Sequence, residues 1–276
     1  MNNLDKLHQV HLAIADDLHR ICSKFDIQYF LAAGSMLGAI RHQGFSPWDD
    51  DFDVGMTRDN YEKFLKVIES ELSDNFYFLS LENNQKYALR YIKLMKRHTK
   101  LIEAAAPKDI DNYGIFIDVF VYDKIPKNKA SQLRHNLSVE IYQKLLYAKC
   151  NSQIVFSNKS FKAIIYNALK LLVIPISKNR LQRGLKRNMI RYNKQDSDYI
   201  TNVGEYFSNY NNEKVKIEVA KDLKLYAFEN REYFGFKDYE AYLTGLYEDW
   251  RKPPLEKDSI MHHNYLYLNI DTKNNG

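Results

Sequence analysis

Pro47-Trp48-Asp49-Asp50-Asp51-Phe52-Asp53-Val54-Gly55-Met56 sets four carboxylates into an otherwise apolar run. From Asp51 onward, acids and apolar residues alternate. Phe52, Val54 and Met56 fall on one face, and Asp51, Asp53 and Gly55 on the other, which is the period of a β-strand. A solvated acidic loop has no need of that order. Like charges projecting together repel, and a divalent cation is the usual relief. A tight set of carboxylate oxygens favours magnesium, manganese or calcium over zinc. An EF-hand would need glycine at position 54 and a bidentate glutamate at position 60, where Val54 and Asn60 stand.

Upstream, Gln28-Tyr29-Phe30-Leu31-Ala32-Ala33 reads as a buried strand, Gly34-Ser35 as a turn and Met36 to Arg41 as a short helix. A strand that passes through Gly-Ser into a helix presents backbone N–H groups and the positive end of a helix dipole, a favourable seat for phosphate. The acidic strand follows within one loop, Arg41 to Asp50. Before it, Leu4, Leu7, Val10, Ile14, Leu18, Ile21 and Phe25 recur in steps of three and four, predicting a long amphipathic opening helix. His8, His11 and His19 within it read as surface or boundary residues rather than ligands.

Downstream, Asp59-Asn60-Tyr61-Glu62 has capping-box spacing and predicts a helix to about Leu72. Phe76 to Leu81, Tyr87 to Met95 and Thr99 to Ala104 read as strands. Gly114-Ile115-Phe116-Ile117-Asp118-Val119-Phe120-Val121 is a nearly continuous apolar strand with one carboxylate at its centre. Burying an unpaired charge costs several kcal/mol. Asp118 therefore requires a metal or a buried Lys or Arg.

The chain of 276 residues, 45% hydrophobic and 14% aromatic, is long enough for a substantial core. Cys22 and Cys150 are far apart and form no CxxC pair, which excludes a disulfide framework or cysteine zinc site and fits a reducing compartment. The start, Met1-Asn2-Asn3-Leu4-Asp5, lacks the pattern of a signal peptide, so a cytoplasmic setting is expected. The net charge of +5 hides a segregation: residues 124–195 hold 16 of the 40 Lys and Arg and one acid, Glu140. Within them, Phe161 to Ile176 is apolar at helical spacing and is followed by Lys178, Arg180, Arg183, Lys186, Arg187, Arg191 and Lys194. The apolar run is too short and interrupted for a membrane span. It reads either as an interfacial helix with a polybasic flank, peripheral on an anionic membrane, or as a core helix beside a solvated basic one. Nucleic acid is not expected, because no aromatic and basic interleaving makes a stacking platform. The charge shifts divide the chain into 1–123, a catalytic core; 124–195, a basic helical segment; and 196–276, a C-terminal region completing the site.

The run Gly34-Ser35-Met36-Leu37-Gly38-Ala39-Ile40-Arg41-His42, then Gly44-Phe45, then Pro47 to Met56, resembles the signature of the LicD family of phosphotransferases. Gly114 to Phe120 resembles its second acidic strand. Phe228-Glu229, Tyr242-Leu243, Tyr247-Glu248-Asp249-Trp250 and Pro253-Pro254 resemble its C-terminal block, with Glu248 where many relatives have glycine. The resemblance implies an α/β (α+β) nucleotidyltransferase-like fold, a mixed sheet flanked by helices, with an inserted basic helical segment and a C-terminal helical region. It also implies transfer of a phospho-alcohol, phosphocholine in many bacterial members, from a CDP-activated donor such as CDP-choline to a hydroxyl of a glycan or lipid-linked glycan. On that reading Asp51, Asp53 and Asp118 form the catalytic and metal set for Mg2+, with Mn2+ as alternative. Gly34, Ser35, Arg41, Asp50 and Lys93 attend the phosphates, and Asp49 and Asp50 orient the ligands. Tyr247 and Trp250 face the alcohol as a choline cage. A nucleotide-sugar glycosyltransferase or a nucleotidyltransferase would use the same Asp-x-Asp pair, and a non-enzymatic membrane-surface adaptor is the remaining reading.

Overall fold

The computed structural model describes residues 3–103, 110, 113–150, 161–203, 212–252 and 265–270. The predicted opening helix is α1 (Asn3–Lys24), with Leu7, Ile14, Leu18 and Ile21 buried. The strand predicted over 28–33 contracts to β1 (Phe30–Leu31), and α2 (Ala33–His42) starts earlier than predicted, taking Gly34 and Ser35 into its first turn. The acidic strand is β2 (Asp53–Thr57), so Asp51 lies in the loop before it rather than within the ladder. Helix α3 (Arg58–Glu71) begins after Thr57, whose side chain makes no capping hydrogen bond, and Asp59 sits in its first turn, where a carboxylate meets the helix dipole favourably.

Strands β3 (Phe76–Leu79), β4 (Ile92–Lys96), β5 (Lys100–Glu103) and β6 (Phe116–Lys124) follow. The predicted strand at 99–104 runs at Ala104 outside the described residues. The central sheet has the order β1-β2-β6-β4-β3, with β2 and β6 parallel and the other neighbours antiparallel. Val54, Met56, Ile92, Leu94, Ile117, Val119 and Val121 are completely buried, as the apolar character of these strands requires.

The basic segment is helical, as its periodicity predicts: α4 (Lys129–Lys149), α5 (Phe161–Leu172) and α6 (Lys178–Met189). Leu181, Leu185 and Met189 bury one face of α6, and Gly184 gives Tyr142 of α4 room to pack. Among the described residues no helix is long and apolar enough to cross a membrane.

The C-terminal region holds more strand than its expected helical character. Strand β7 (Tyr199–Thr201) pairs with the end of β6 and with β8 (Val215–Lys216). Strands β9 (Leu223–Phe228) and β10 (Arg231–Phe236) form a hairpin, α7 (Glu240–Tyr247) follows, and β11 (Tyr265–Asn269) pairs with β5. Dense aromatics around the Glu229-Asn230 turn favour a pleated surface over a helix. Pro253 and Pro254 lie outside the described residues.

At the end of β6, fully buried Asp123 accepts from Arg58 Nε at 2.9 Å, Arg58 Nη2 at 2.5 Å and the Asn193 amide at 2.5 Å. Removing one partner of such a pair strands the other charge. Asp123→Ala is expected to cost about 3–5 kcal/mol of stability in urea unfolding; a loss below about 1 kcal/mol would refute this account of the β6–α3 junction.

Candidate active site

Three backbone junctions bring the site together. Asp53 N–H donates to Ser35 Oγ at 2.8 Å, Ala32 N–H to Asp53 O at 3.0 Å, and Asp118 N–H to Phe52 O at 3.1 Å. Ser35 thus joins the first turn of α2 to the head of β2. Parallel pairing sets Asp53 beside Asp118, and antiparallel pairing sets Lys93 beside Asp118. Register partners share a sheet face, so Lys93, Asp118 and Asp53 form a row across β4, β6 and β2.

Asp118 finds the cation its surroundings require in Lys93. Lys93 Nζ lies 2.9 Å from Asp118 Oδ1 and 3.1 Å from Oδ2, and 3.1 Å from the centre of the Phe116 ring. Both side chains are largely buried. Lys93 is thus the buried base that the sequence left open as a partner for Asp118. Arg41 is half-buried and lies 5.9 Å over the Trp48 ring, near the acidic loop.

Among the described residues, the carboxylates whose oxygens fall within 4.8 Å of one another are those of Asp49, Asp50 and Asp51. Asp51 is common to this group and to the Asp51, Asp53, Asp118 set expected from sequence. Asp53 and Asp118 stand on the adjoining strands β2 and β6, outside the cluster. Asp49 and Asp50 are buried and Asp51 half-buried. Burial first, then the charge of Asp51 and a hydrogen bond with it, then the charge of Asp50, push the Asp49 carboxyl from 3.8 up to about 9. Three hard oxygen donors, crowded enough that one carboxyl holds its proton at neutral pH, fit a divalent cation, which would relieve the repulsion that the proton now relieves.

The loop that carries these acids is held from three directions. His8 of α1 donates through Nε2 to Asp49 O at 2.7 Å and stacks on Phe45 with ring centres 3.8 Å apart. Burial keeps the His8 pKa below its ordinary value, against the smaller upward pull of this hydrogen bond. At the β9–β10 turn, Glu229 N–H donates to Gln43 O at 2.7 Å, and Glu229 Oε1 accepts from Phe45 N–H at 3.2 Å. Phe228 packs edge-on against both Phe45 and Phe52, and Tyr233 against Phe52. Two glycines permit the fit. A Cβ on Gly34 would lie 2.7 Å from Asp49 Oδ2, and one on Gly44 would collide with the Glu229 carboxylate.

Helix α7 closes the far side. Tyr242 Oη accepts from Ala33 N–H at 3.0 Å and lies 3.1 Å from Tyr122 Oη, which in turn donates to buried Glu213. This chain holds Ala33, which has φ of 41°, at the start of α2. Tyr247 is 38% exposed as a residue, yet burial of its hydroxyl, then the negative fields of Tyr242, Asp49, Asp51 and Asp53, push its pKa well upward. It therefore stands at the acidic loop. Trp250 packs instead against Tyr239 and under Arg251.

His8, Glu229 and Tyr242 were not among the site residues expected from sequence. Glu229 and Tyr242 could have been found through the C-terminal motifs that contain them. Nothing in the spacing of His8 distinguishes it from His11 or His19.

Residues 26–163 match the family model described as LicD/FKTN/FKRP, nucleotidyltransferase domain. The chain is 28% identical over 256 residues to the lipopolysaccharide cholinephosphotransferase LicD of Haemophilus influenzae, covering 92% of this chain and 93% of that protein. It is also similar to an uncharacterized protein of Rickettsia typhi, 38% identical over 52 residues, covering 19% of this chain and 17% of that one. An uncharacterized protein of Rickettsia prowazekii is 38% identical over 66 residues, 24% of each chain. The family match and the likeness over nearly the whole chain to a cholinephosphotransferase make this α+β protein a transferase. The chain belongs to the LicD family.

Two expectations follow from the site. The native state keeps the Asp49 proton up to about pH 9, whereas the unfolded chain releases it near 3.8. The native state thus binds more protons between these values, so the metal-free protein should lose stability as pH rises from about 4 to 9. Asp49→Asn should flatten that slope in melting curves; an unchanged slope would contradict the assignment. Glu248, at the end of α7, has φ of 53° and ψ of −104°, a conformation that strains a side-chain-bearing residue. Glu248→Gly is expected to raise unfolding stability by about 1 kcal/mol, the strain relieved less the entropy glycine adds to the unfolded chain. Destabilisation would argue for a side-chain role of Glu248 instead.

Proposed function

We propose that this enzyme transfers phosphocholine, or a similar phospho-alcohol, from a CDP-activated donor to a hydroxyl of a lipopolysaccharide or related glycan, releasing CMP. The observation that carries this reading is the Asp49, Asp50, Asp51 cluster beside the Lys93, Asp118, Asp53 row, in a chain that covers nearly all of a lipopolysaccharide cholinephosphotransferase. The acceptor hydroxyl attacks the phosphorus that bears choline, the bond to the CMP oxygen breaks, and the hydroxyl proton leaves to a base.

Asp51, with Asp49 and Asp50 in reach of the same ion and Asp53 at the adjoining strand head, would hold magnesium or manganese. Such an ion, when bound, neutralises charge on a pyrophosphate. Asp118 is the base, or a further ligand for the ion, and Lys93 keeps its carboxylate oriented while adding positive charge near the donor phosphates. Arg41 offers a second cation. Tyr247 presents an aromatic face near the acids for a quaternary ammonium group, with Trp250 supporting the same C-terminal wall.

The test combines protein, CDP-choline, magnesium and a lipopolysaccharide acceptor and measures CMP. Release by the wild type is expected, falling about 100-fold or more in Asp51→Ala and Asp53→Ala. Gly34→Ala, which crowds Asp49, should lower turnover while leaving the melting temperature nearly unchanged. Absence of release with the wild type, or undiminished release from both aspartate variants, would overturn the reading. Thermal shifts with CDP-choline, CDP-ribitol and UDP-sugars report donor choice, since a ligand of the native state raises its melting temperature.

A further inference from the structure

Among the described residues, eleven large apolar side chains are exposed, and eight of them lie between residues 133 and 190. That stretch falls within the segment holding 16 Lys and Arg and one acid. The coincidence is unusual, because a basic surface without a partner has no reason to collect exposed leucines.

On α4, Leu133, Leu137 and Ile141 are each about half exposed and follow one another at four-residue steps. Such spacing lines them along one side of the helix over roughly 12 Å. The opposite side of α4 is occupied: His135, Val139, Gln143 and Leu146 are buried. Arg134 and Lys144 are exposed alongside the stripe.

The end of α5 is more exposed still, with Leu171 at 69%, Leu172 at 67% and Ile174 at 65%. These residues are fixed to the C-terminal end of α4. Tyr166 Oη donates to Tyr147 O at 3.1 Å, and Lys149 Nζ donates to Val173 O at 3.2 Å and Ile174 O at 3.0 Å. Beyond them α6 exposes Arg180, Arg183, Lys186 and Arg187, while its apolar side packs inward.

We propose that α4 and the α5 end form a docking face for an anionic lipid bilayer. The leucines and isoleucines enter the boundary between headgroups and acyl chains, and the surrounding lysines and arginines meet the anionic headgroups. Charge complementarity selects this occupant: the face presents aliphatic side chains in a segment whose Lys and Arg outnumber its acids sixteen to one, the acid Glu140 being paired with Lys144, and an acidic bilayer surface matches that balance. An acidic protein or a second copy of the chain would be the other ways to cover it. The inference goes beyond the transferase reading and does not depend on it.

The test uses the full chain without nucleotide, sedimented with vesicles of phosphatidylcholine alone or mixed with phosphatidylglycerol. Binding to the mixed vesicles only is expected, weakening about tenfold or more as salt rises from roughly 50 to 200 mM. At fixed low salt, Leu171→Ser with Leu172→Ser should weaken it about tenfold, since each change withdraws apolar area from the bilayer. Leu137→Ser with Ile141→Ser should act in the same direction. All four positions are exposed, so melting temperatures should hold. Arg180→Glu with Arg187→Glu should reduce binding without altering the apolar face. Absence of binding to phosphatidylglycerol vesicles at low salt would overturn the proposal. So would binding indifferent to both apolar variants, which would mark plain attraction to any polyanion. Self-association in light scattering that the leucine variants abolish would assign the face to a second copy instead. Because the assay contains no donor or acceptor, its failure leaves the transferase reading untouched.

Discussion

The site rests on a wedge of uncharged contacts behind a loop of charges. Asp49, Asp50 and Asp51 crowd their carboxyl groups into one place, and the proton of Asp49 with its hydrogen bond to Asp51 offsets only part of the repulsion. Their backbone is held from behind: Phe45 and Phe52 are pinned by Phe228, His8 grips the carbonyl of Asp49, and Glu229 takes the amide of Phe45. These contacts let like charges crowd at a fixed place. The charge strain is local and the restraint comes from elsewhere, a common economy at functional sites.

The sheet does a second, separate task. The Asp53, Asp118, Lys93 row is set by strand register, so its members cannot drift without unpairing β2, β6 and β4. The acids of the loop and those of the sheet are therefore held by different means, aromatic packing for the first and ladder hydrogen bonds for the second. Ser35 couples them, since its hydroxyl receives the amide that begins β2 while its own helix begins beside Asp49.

Much of this was legible in the sequence. The alternation around Asp53 and the apolar run around Asp118 foretold two buried neighbouring strands, and the solitary acid in the second demanded a counter-charge, which Lys93 provides. The boundaries were less legible: tertiary pairing decides where a ladder begins, so Asp51 fell into a loop that alternation alone would extend as strand. The helical expectation for the C-terminal region gave way to the β9–β10 hairpin because its aromatics pack against Phe45 and Phe52, residues some 180 positions away that local periodicity cannot see. His8 was hidden for the same reason. Its significance lies in a carbonyl 41 residues further along the chain.

That reach across the chain has a kinetic meaning. The acidic loop is clasped by α1, near one end of the sequence, and by the hairpin at Phe228 and Glu229, near the other. Contacts of such separation form late, because the intervening polymer must first be gathered in. During synthesis the loop thus emerges from the ribosome after α1 but long before the β9–β10 hairpin, and the chain passes through a stage in which its sheet can assemble while only one side of the loop is held. The crowding of the three carboxylates is fixed only once Phe228 and Glu229 have joined Phe45 and Phe52.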